Sequence, residues 1–333
     1  MRAEQVQAYL QHRMPDAREI EVSQLARIPG GASRETWSFD ATWREGKARA
    51  GRGFILRRDP EASLLETERN VEFRVYQALQ STGVPVPEVF WLETDPRWLE
   101  RPFFVMARVP GVTSPQTLIG VAFGGHHEAI AQQKVEILAR IHALDWRDLG
   151  LDFLGPPDGP AACAETEIER WETIMRAQAL EPQPALELAL AWLRAHRPVA
   201  PRITLVHADY RTGNFLVEGG RITGVLDWEM AHLGDPIEDL AWVCLRSWRW
   251  AGDSRMGGLL PRDELCHRYE AASGLRIEPE AVRFWEVLGN LKLAVIFLTG
   301  ARSFCEGRSK DAVHGFTAHL NPEIEAEVLR LIA

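Results

Sequence analysis

The sequence has few cysteines, and none of them are clustered. The four, Cys163, Cys244, Cys266 and Cys305, are widely spaced among 333 residues, and no CxxC pair occurs. Zinc sites and disulfide frameworks need close or regular spacing, so neither is indicated. Because chains without a disulfide framework are typical of reducing compartments, we expect a cytoplasmic protein.

A long apolar run is also missing. The first twenty residues lack the apolar core of a secretory signal peptide. The most apolar later segment, residues 284–299, contains Glu286, Asn290 and Lys292 and is too short and too polar to span a bilayer. It predicts a buried core helix, and we expect no membrane association.

Basic residues are not in excess. The chain has 38 Lys and Arg against 47 Asp and Glu, a formal net charge of -9. Because phosphate backbones attract basic surfaces, this balance argues against general nucleic-acid binding. Internal repeats, low-complexity tracts and coiled-coil heptads are absent as well. With 46% hydrophobic residues, the chain is long enough for two lobes with ample core.

Four polar residues form the most informative pattern in the chain. His207, Asp209 and Asn214 follow one short apolar run, and Asp227 ends another. Between them the sequence EGGR at 218–221 predicts a hairpin turn, because paired glycines accept the positive φ that such a turn needs. The hairpin would return Asp227 to the Asp209–Asn214 loop. Two carboxylates and one amide there suit Mg²⁺ bound together with substrate phosphates.

The pattern His207-x-Asp209-x4-Asn214, followed by a hairpin and Asp227, resembles the catalytic core of the aminoglycoside phosphotransferase and choline kinase-like family. These are small-molecule kinases with a protein-kinase-like fold. The resemblance implies that His207 and Asp209 are catalytic, with Asp209 as the base, and that Asn214 and Asp227 hold Mg²⁺. Ala208 stands where many relatives have glycine and adds only a methyl group. The alternative is a hydrogen-bonded pair at a strand end, with Asp227 as a turn cap.

The resemblance also implies a phosphate site in the first part of the chain. Gly30, Gly31 and Ser33 lie in a turn before a strand-like run, and free N–H groups in such a turn can cradle phosphate. An ordinary turn is the alternative. Arg57, in a strand over 53–58, stands where the family has a lysine that pairs with the ATP phosphates. Arginine keeps the charge but lacks the compact geometry of an ammonium group.

A helix is predicted over 66–80 from an apolar stripe at Val71, Val75 and Leu79. Glu72 lies beside that stripe. By resemblance Glu72 anchors the strand cation as an Arg57–Glu72 pair, and Glu68 is the second choice.

The segment 107–111 follows a short apolar strand and resembles the family's hinge, where backbone groups of Ala107 and Val109 would bind adenine. An ordinary strand-to-helix loop is the alternative. We expect an N-terminal nucleotide-binding lobe at 1–106, the hinge at 107–111, and a catalytic and substrate-binding lobe at 112–333. The fold class is α+β and bilobal, with a small mixed β-sheet in the first lobe and a mostly helical second lobe.

Three polar residues of the second lobe have structural roles in this interpretation. His142, in a helix predicted over 129–145, is expected to be a packed, hydrogen-bonded core histidine. Asp235 precedes Pro236 and suits a helix N-cap. Asp239 matches a family aspartate that braces the catalytic loop.

Taken together, these features predict an ATP-dependent phosphotransferase that acts on a hydroxyl of a small molecule. The sequences LRR at 56–58 and DWE at 227–229 resemble the kinase-like domains fused to acyl-CoA dehydrogenases. Two other functions stay open. One is a nucleotide-binding pseudokinase, for which Arg57 argues. The other is a metal-dependent hydrolase using His207 and Asp209, which would need more ligands than this region offers. The sequence does not indicate the oligomeric state.

The acceptor hypothesis departs from the family name. Between Arg246 and Lys310 there are eleven basic and eight acidic residues. The same neighbourhood carries four tryptophans, Trp242, Trp248, Trp250 and Trp285. Aminoglycosides are polycations, so complementarity of charge predicts a neutral or anionic, partly apolar acceptor, such as a hydroxy acid or hydroxyacyl thioester. The alternative is a solvated basic face over core tryptophans.

Overall fold

The computed structural model describes residues 1–28, 35–59, 69–250 and 254–333. The predicted phosphate-turn residues Gly30, Gly31 and Ser33, and the second-choice Glu68, lie outside the described residues. In the described part of the chain, no helix is long and apolar enough to cross a membrane.

The first part of the chain forms a five-stranded sheet with strand order β1-β2-β3-β5-β4. The strands are β1 (Arg18–Ile28), β2 (Glu35–Glu45), β3 (Ala48–Arg58), β4 (Val89–Glu93) and β5 (Phe103–Ala107). Every pairing between these strands is antiparallel, so the sheet is not mixed as expected. In the described residues, three helices accompany the sheet, α1 (Ala3–Arg13), α2 (Arg69–Leu79) and the short α3 (Pro96–Leu99).

Successive side chains of β3 lie on opposite faces of the sheet, and only one of these faces is turned towards the rest of the molecule. Phe54 and Leu56 pack into a cluster with α1, whereas Ile55 belongs to the larger core that runs into the helical part. Residues two apart on a strand share a face, so Arg57 lies on the Ile55 side. The sheet therefore presents Arg57 towards the helical lobe.

The rest of the chain is mostly helical. The longer helices are α5 (His127–Ala143), α6 (Cys163–Gln178), α7 (Pro184–Ala195), α9 (Arg262–Ser273), α10 (Pro279–Cys305) and α12 (Asn321–Ile332). The shorter helices are α4 (Pro115–Leu118), α8 (Ile237–Cys244) and α11 (Ala312–Thr317). Two small antiparallel sheets complete the fold, β6 (Thr204–Val206) with β9 (His232–Gly234), and β7 (Phe215–Glu218) with β8 (Arg221–Val225).

Helix α10 is the centre of the helical lobe. It packs against α6, α7, α8, α11 and α12. A helix that is apolar on most sides has to be buried, and the segment 284–299 lies within it as predicted. Glu286, Asn290 and Lys292 are nevertheless buried in the same helix. Each of these polar side chains therefore needs a partner inside the protein.

Candidate active site

An open cleft of about 530 Å³ lies between the first sheet and the helical lobe. The sheet side contributes Ile28, Thr36, Arg57 and Met106 to its lining. The helical side contributes Asp209, Asn214 and Asp227, among others. The cleft thus brings together one cation from the sheet and the polar residues of the predicted catalytic pattern.

The β7–β8 hairpin places Asp227 beside the loop of Asp209 and Asn214, as the sequence predicts. Strand β7 leaves that loop, the EGGR turn reverses the chain, and β8 returns next to it. The residue after β8, Leu226, is tied to both ends of the loop. Its N–H donates to the Asn214 carbonyl at 2.8 Å, and its carbonyl accepts from His207 Nε2 at 2.9 Å.

Three side-chain hydrogen bonds orient the carboxylate of Asp209. Its Oδ2 accepts from Asn214 Nδ2 at 2.6 Å. Its Oδ1 accepts from Arg211 Nε and from Trp242 Nε1, both at 2.9 Å. A carboxylate offers about four acceptor positions, so one position is left for a further donor. Asp209 lines the cleft, where a hydroxyl group can reach that position.

Asn214 and Asp227 present oxygen atoms to the cleft. The Asn214 amide nitrogen donates to the carboxylate and the backbone carbonyl of Asp209, which leaves its carbonyl oxygen as the possible ligand. The N–H of Asp227 donates to Tyr76 Oη at 3.0 Å, and Asp227 adopts a left-handed φ of 69°. Hard oxygen donors of this kind fit Mg²⁺.

Arg57 connects the sheet to this group. The predicted Arg57–Glu72 ion pair is present, and both side chains are buried. The second terminal nitrogen, Nη2, also donates to Asp227 Oδ1 at 2.8 Å, which the sequence did not indicate. Burial would raise the pKa of Asp227, but the Arg57 guanidinium outweighs it and holds that pKa below its usual range. Asp227 is therefore a carboxylate at neutral pH.

His207, which the sequence pattern groups with the catalytic residues, lies beneath the Asp209 loop. Its side chain is fully buried. Nδ1 accepts from the Asp209 N–H at 3.1 Å, and Nε2 donates to the Leu226 carbonyl. Burial lowers the pKa of this imidazole, so it is neutral, with one nitrogen donating and the other accepting. Both ring nitrogens are engaged by the backbone, so His207 holds the shape of the loop that carries Asp209.

Asp239 braces the loop from below, as expected. Its two oxygens accept from the N–H groups of His207 at 2.7 Å and Ala208 at 2.8 Å. His142 Nε2 lies 3.1 Å from the same carboxylate, and its Nδ1 lies 2.6 Å from Tyr269 Oη. The prediction of a packed, hydrogen-bonded core histidine at His142 is confirmed.

Sequence reasoning missed three residues around the loop. Trp242 bonds to Asp209 directly, although it was noted only as a nearby tryptophan. Lys292 donates to the Ala208 carbonyl at 2.7 Å, and Lys134 donates to Thr212 Oγ1 at 3.3 Å. Burial lowers the pKa of Lys134 to about 7. For Lys292 and Lys134, the only signal in the sequence was a lysine within an otherwise apolar helical stretch.

The segment 107–111 joins the two parts of the chain. The Ala107 N–H donates to the Glu88 carbonyl at 2.8 Å, so an adenine contact at this residue falls to its carbonyl. Val112 and Val217 exchange two backbone hydrogen bonds, at 2.9 and 3.1 Å. The chain that leaves this segment is therefore fastened to the β7–β8 hairpin.

The cleft wall beyond Asp209 is largely apolar. Its side chains include Trp248, Trp250, Leu293, Ile296 and Phe297. The Arg211 guanidinium lies over the Trp248 ring, 4.8 Å from its centroid.

The basic residues counted between Arg246 and Lys310 do not line this wall. None of them is among the described residues that line the cleft. Several pair with acidic neighbours instead, including Arg262 with Glu286 and Lys292 with Glu238. The charge count therefore does not describe the cleft, whereas the aromatic residues Trp242, Trp248 and Trp250 do lie in it.

The chain matches the family model "Phosphotransferase enzyme family" over residues 25–285. Among curated proteins, acyl-CoA dehydrogenase family member 10 of Mus musculus is 34% identical over 200 residues, which cover 59% of this chain and 18% of that protein. Hygromycin-B 4-O-kinase of Escherichia coli is 28% identical over 235 residues, covering 66% of this chain and 61% of that protein. The chain covers 18% to 32% of the acyl-CoA dehydrogenase relatives.

Solved structures share the fold across almost the whole chain. A Ralstonia eutropha protein described as an aminoglycoside phosphotransferase has a TM-score of 0.75 at 23% identity, covering 99% of this chain and 98% of that one. Aminoglycoside phosphotransferase APH(4)-Ia, in a ternary complex with AMP-PNP and hygromycin B, has a TM-score of 0.61 at 21% identity and is covered to 99% in both chains. At these identities the likeness concerns the fold, which is α+β, bilobal and kinase-like.

Proposed function

The chain belongs to the phosphotransferase enzyme family, and we propose that it is an ATP-dependent kinase that transfers the γ-phosphoryl group to a hydroxyl of a small molecule. One observation carries the proposal. The Asp209 carboxylate is held by Asn214, Arg211 and Trp242 at the cleft, beside Asp227 and Arg57. Such an array positions a proton acceptor next to groups that bind phosphate and metal.

Asp209 is the proposed base. Its remaining lone pair takes the proton of the substrate hydroxyl as that oxygen bonds to the γ-phosphorus, while the bond from the γ-phosphorus to the bridging oxygen breaks and ADP leaves. The proposed role of His207 is to hold Asp209 in position, since its Nδ1 accepts a hydrogen bond from the Asp209 N–H. General-base assistance typically contributes about 10²- to 10⁴-fold. Most of the remaining rate enhancement in such transfers comes from holding the two substrates in line.

Asn214 Oδ1 and the Asp227 carboxylate are the proposed ligands for Mg²⁺, and both line the cleft. When bound there, Mg²⁺ would neutralise charge on the ATP phosphates. Arg57, anchored by Glu72, is proposed to contact those phosphates, and Gly30, Gly31 and Ser33 are proposed as further phosphate contacts. The Ala107 carbonyl and the Val109 backbone would bind adenine. The proposed lobe boundaries are 1–106, 107–111 and 112–333, and we place the protein in the cytoplasm because of its cysteine usage.

The acceptor is proposed to be partly apolar and neutral or anionic, and to carry a hydroxyl. The support is the wall of Trp248, Trp250, Leu293, Ile296 and Phe297 and the Arg211 guanidinium near Asp209. A polycation would have to lie against this apolar wall and approach the Arg211 guanidinium, and both disfavour its binding. The hygromycin-B 4-O-kinase relative is named for an aminoglycoside acceptor. One assay can therefore compare an aminoglycoside with a partly apolar, neutral or anionic acceptor.

A pseudokinase is the second candidate, and the Arg57–Asp227 ion pair favours it. If that pair persists with nucleotide bound, one oxygen of the proposed metal ligand stays occupied. Mg²⁺-dependent ATP hydrolysis in the absence of acceptor separates the two functions. A kinase hydrolyses ATP slowly, and a pseudokinase binds ATP without turnover.

The test of the proposed function is a screen with γ-labelled ATP. Medium-chain hydroxy acids, hydroxyacyl thioesters and aminoglycosides are supplied as competing acceptors, with Mg²⁺ and with a chelator. We expect label transfer to a hydroxy acid or thioester that depends on Mg²⁺. Efficient labelling of the aminoglycosides alone would refute the acceptor class, and no labelling of any acceptor would favour the pseudokinase.

A further inference from the structure

A buried lysine on the central helix lies directly beneath the loop of Asp209. Lys292 is 2% exposed and belongs to α10, which is otherwise largely apolar. Its Nζ donates to the Ala208 carbonyl at 2.7 Å and to Glu238 Oε1 at 3.2 Å. A buried ammonium group is destabilising unless it is paired and hydrogen-bonded, so the burial of Lys292 needs an explanation.

The bond to Ala208 acts on the peptide that carries Asp209. The Ala208 carbonyl and the Asp209 N–H belong to the same peptide group. Lys292 holds the oxygen of that group, and His207 Nδ1 accepts from its N–H. Ala208 itself has a left-handed φ of 66°, a conformation that an alanine holds only under constraint. The peptide is therefore clamped at both of its polar atoms.

A second contact leads from Lys292 to the side chain of Asp209. Lys292 Nζ lies 4.6 Å from the centroid of the Trp242 ring, within the range of a cation–π interaction. Trp242 Nε1 in turn donates to Asp209 Oδ1. One ammonium group thus contacts both the backbone and the side-chain support of the proposed base.

A buried cluster of charges holds Lys292 in place. Glu238 lies between Lys292 and His232, whose Nε2 is 3.0 Å from Glu238 Oε2 and 3.6 Å from Glu167 Oε1. His232 Nδ1 donates to the Met230 carbonyl, so Nε2 can bond to a carboxylate only when it carries a proton as well. Two carboxylates are then balanced by His232 and Lys292. Burial would raise the pKa of Glu238, but these two cations lower it to about 2.

We propose that Lys292 is a positioning residue for the base, fixing the Asp209 carboxylate through the Ala208 carbonyl and through Trp242. The inference rests on the proposed function, since Asp209 is its target. Core packing alone does not explain a lysine at this position, because an apolar side chain would fill the same space without hydrogen-bonding to the loop.

The first experiment measures turnover. Lys292→Met removes the ammonium group at similar volume, and Lys310→Met removes the same charge from an exposed lysine as a control. We expect Lys292→Met to lower kcat about 10- to 100-fold with little change in the KM for ATP, because misplacement of a reacting group affects the chemical step. Equal kcat in the two variants would overturn the proposal.

A double-mutant cycle separates positioning from general loss of structure. If Lys292 acts through Asp209, then Lys292→Met costs almost nothing once Asp209→Asn is present. If the lysine only stabilises the fold, its effect is the same in both backgrounds. An additive double mutant therefore contradicts the proposal.

Hydrogen exchange gives a readout that needs no acceptor. The amides of Ala208 and Asp209 should exchange about tenfold faster or more in Lys292→Met, whereas the Val225 amide, bonded to the Pro85 carbonyl, should be unchanged. Should Lys292→Met fail to fold, Lys292→Gln is measured in its place. Unchanged exchange at residues 208 and 209 overturns the proposal. If the wild-type protein transfers no phosphoryl group at all, the proposed function fails and exchange alone decides the role of Lys292.

Discussion

Arg57 is the residue at which the sheet and the catalytic hairpin meet. Its guanidinium has a planar fork of donors, so it can bond to Glu72 and Asp227 at once. A lysine ammonium is a compact point charge that suits one carboxylate and one phosphate. The arginine therefore explains why the proposed phosphate cation and the proposed metal ligand are directly bonded in this chain.

The first prediction concerns this fork. Arg57→Met should lower the free energy of unfolding by about 3–5 kcal/mol, because it removes the guanidinium that pairs with the buried Glu72. Arg57→Lys should lose less, since the ammonium can keep Glu72. Urea unfolding of the three proteins checks this, with the exposed Arg49→Met as control. A loss in Arg57→Met no larger than in the control would contradict the role of the pair.

The second prediction concerns the metal ligand. Asp227→Asn keeps the volume, and asparagine tolerates the left-handed φ of 69° at this position. The substitution removes the negative charge, so we expect the Mg²⁺-dependent part of ATP affinity to be lost while Mg²⁺-free binding persists. Calorimetry with and without Mg²⁺ measures both. An unchanged Mg²⁺ dependence would show that Asp227 is not a ligand.

The residues of the catalytic loop and hairpin were predictable because a short pattern contains them. His207, Asp209, Asn214 and Asp227 lie within one stretch whose turn the sequence reveals. Trp242 and Lys292 reach the same loop from 33 and 84 residues away. No periodicity or spacing in the sequence predicts such contacts, because they form only when α8 and α10 pack against the loop.

At the scale of elements, the β7–β8 hairpin was predictable because its turn has a strong local signal. The helix predicted over 129–145 also lies within about two residues of the observed α5. Asp235 accepts the Ile237 N–H at 2.9 Å, but the N-cap position of α8 is Pro236, one residue later than predicted. The clamp of Asp239 on the loop could be expected only from the family resemblance, because the bond joins α8 to the residues after β6.

Helix α5 supplies the third prediction. Burial lowers the pKa of Lys134 to about 7, far below the roughly 10.4 of a lysine in the unfolded chain. Between these values the unfolded state binds one more proton than the folded state. The lysine's unfavourable contribution to stability is therefore full below pH 7 and shrinks as pH rises towards about 10.4.

Lys134→Met isolates that contribution. We expect the variant to be more stable than wild type at pH 6 and its advantage to shrink by up to about 1.4 kcal/mol per pH unit above pH 7. Chemical unfolding at pH 6, 7, 8 and 9 measures the difference. A constant difference would mean that Lys134 titrates as in the unfolded chain, and one that grows with pH would mean that its pKa is raised; either result contradicts the prediction.

At the scale of the whole molecule, the cleft unites two differently built halves. An antiparallel sheet supplies Arg57, and a helical lobe supplies the loop, the hairpin and the apolar wall. The bilobal α+β class could be predicted, since strand-like segments precede helical ones along the chain. The charge of the acceptor side could not be read from a count over 246–310, because most of those side chains pair away from the cleft.

The central claim is that Asp209 is the base of a phosphoryl transfer in this cleft. Asp209→Asn keeps the shape of the side chain and removes its ability to take a proton. The direct measurement is γ-phosphoryl transfer from labelled ATP by wild type and variant, with ATP affinity measured in parallel. The account predicts nearly unchanged ATP binding and a turnover reduced about 10²-fold or more. Turnover within a few-fold of wild type, at equal ATP affinity, would contradict it.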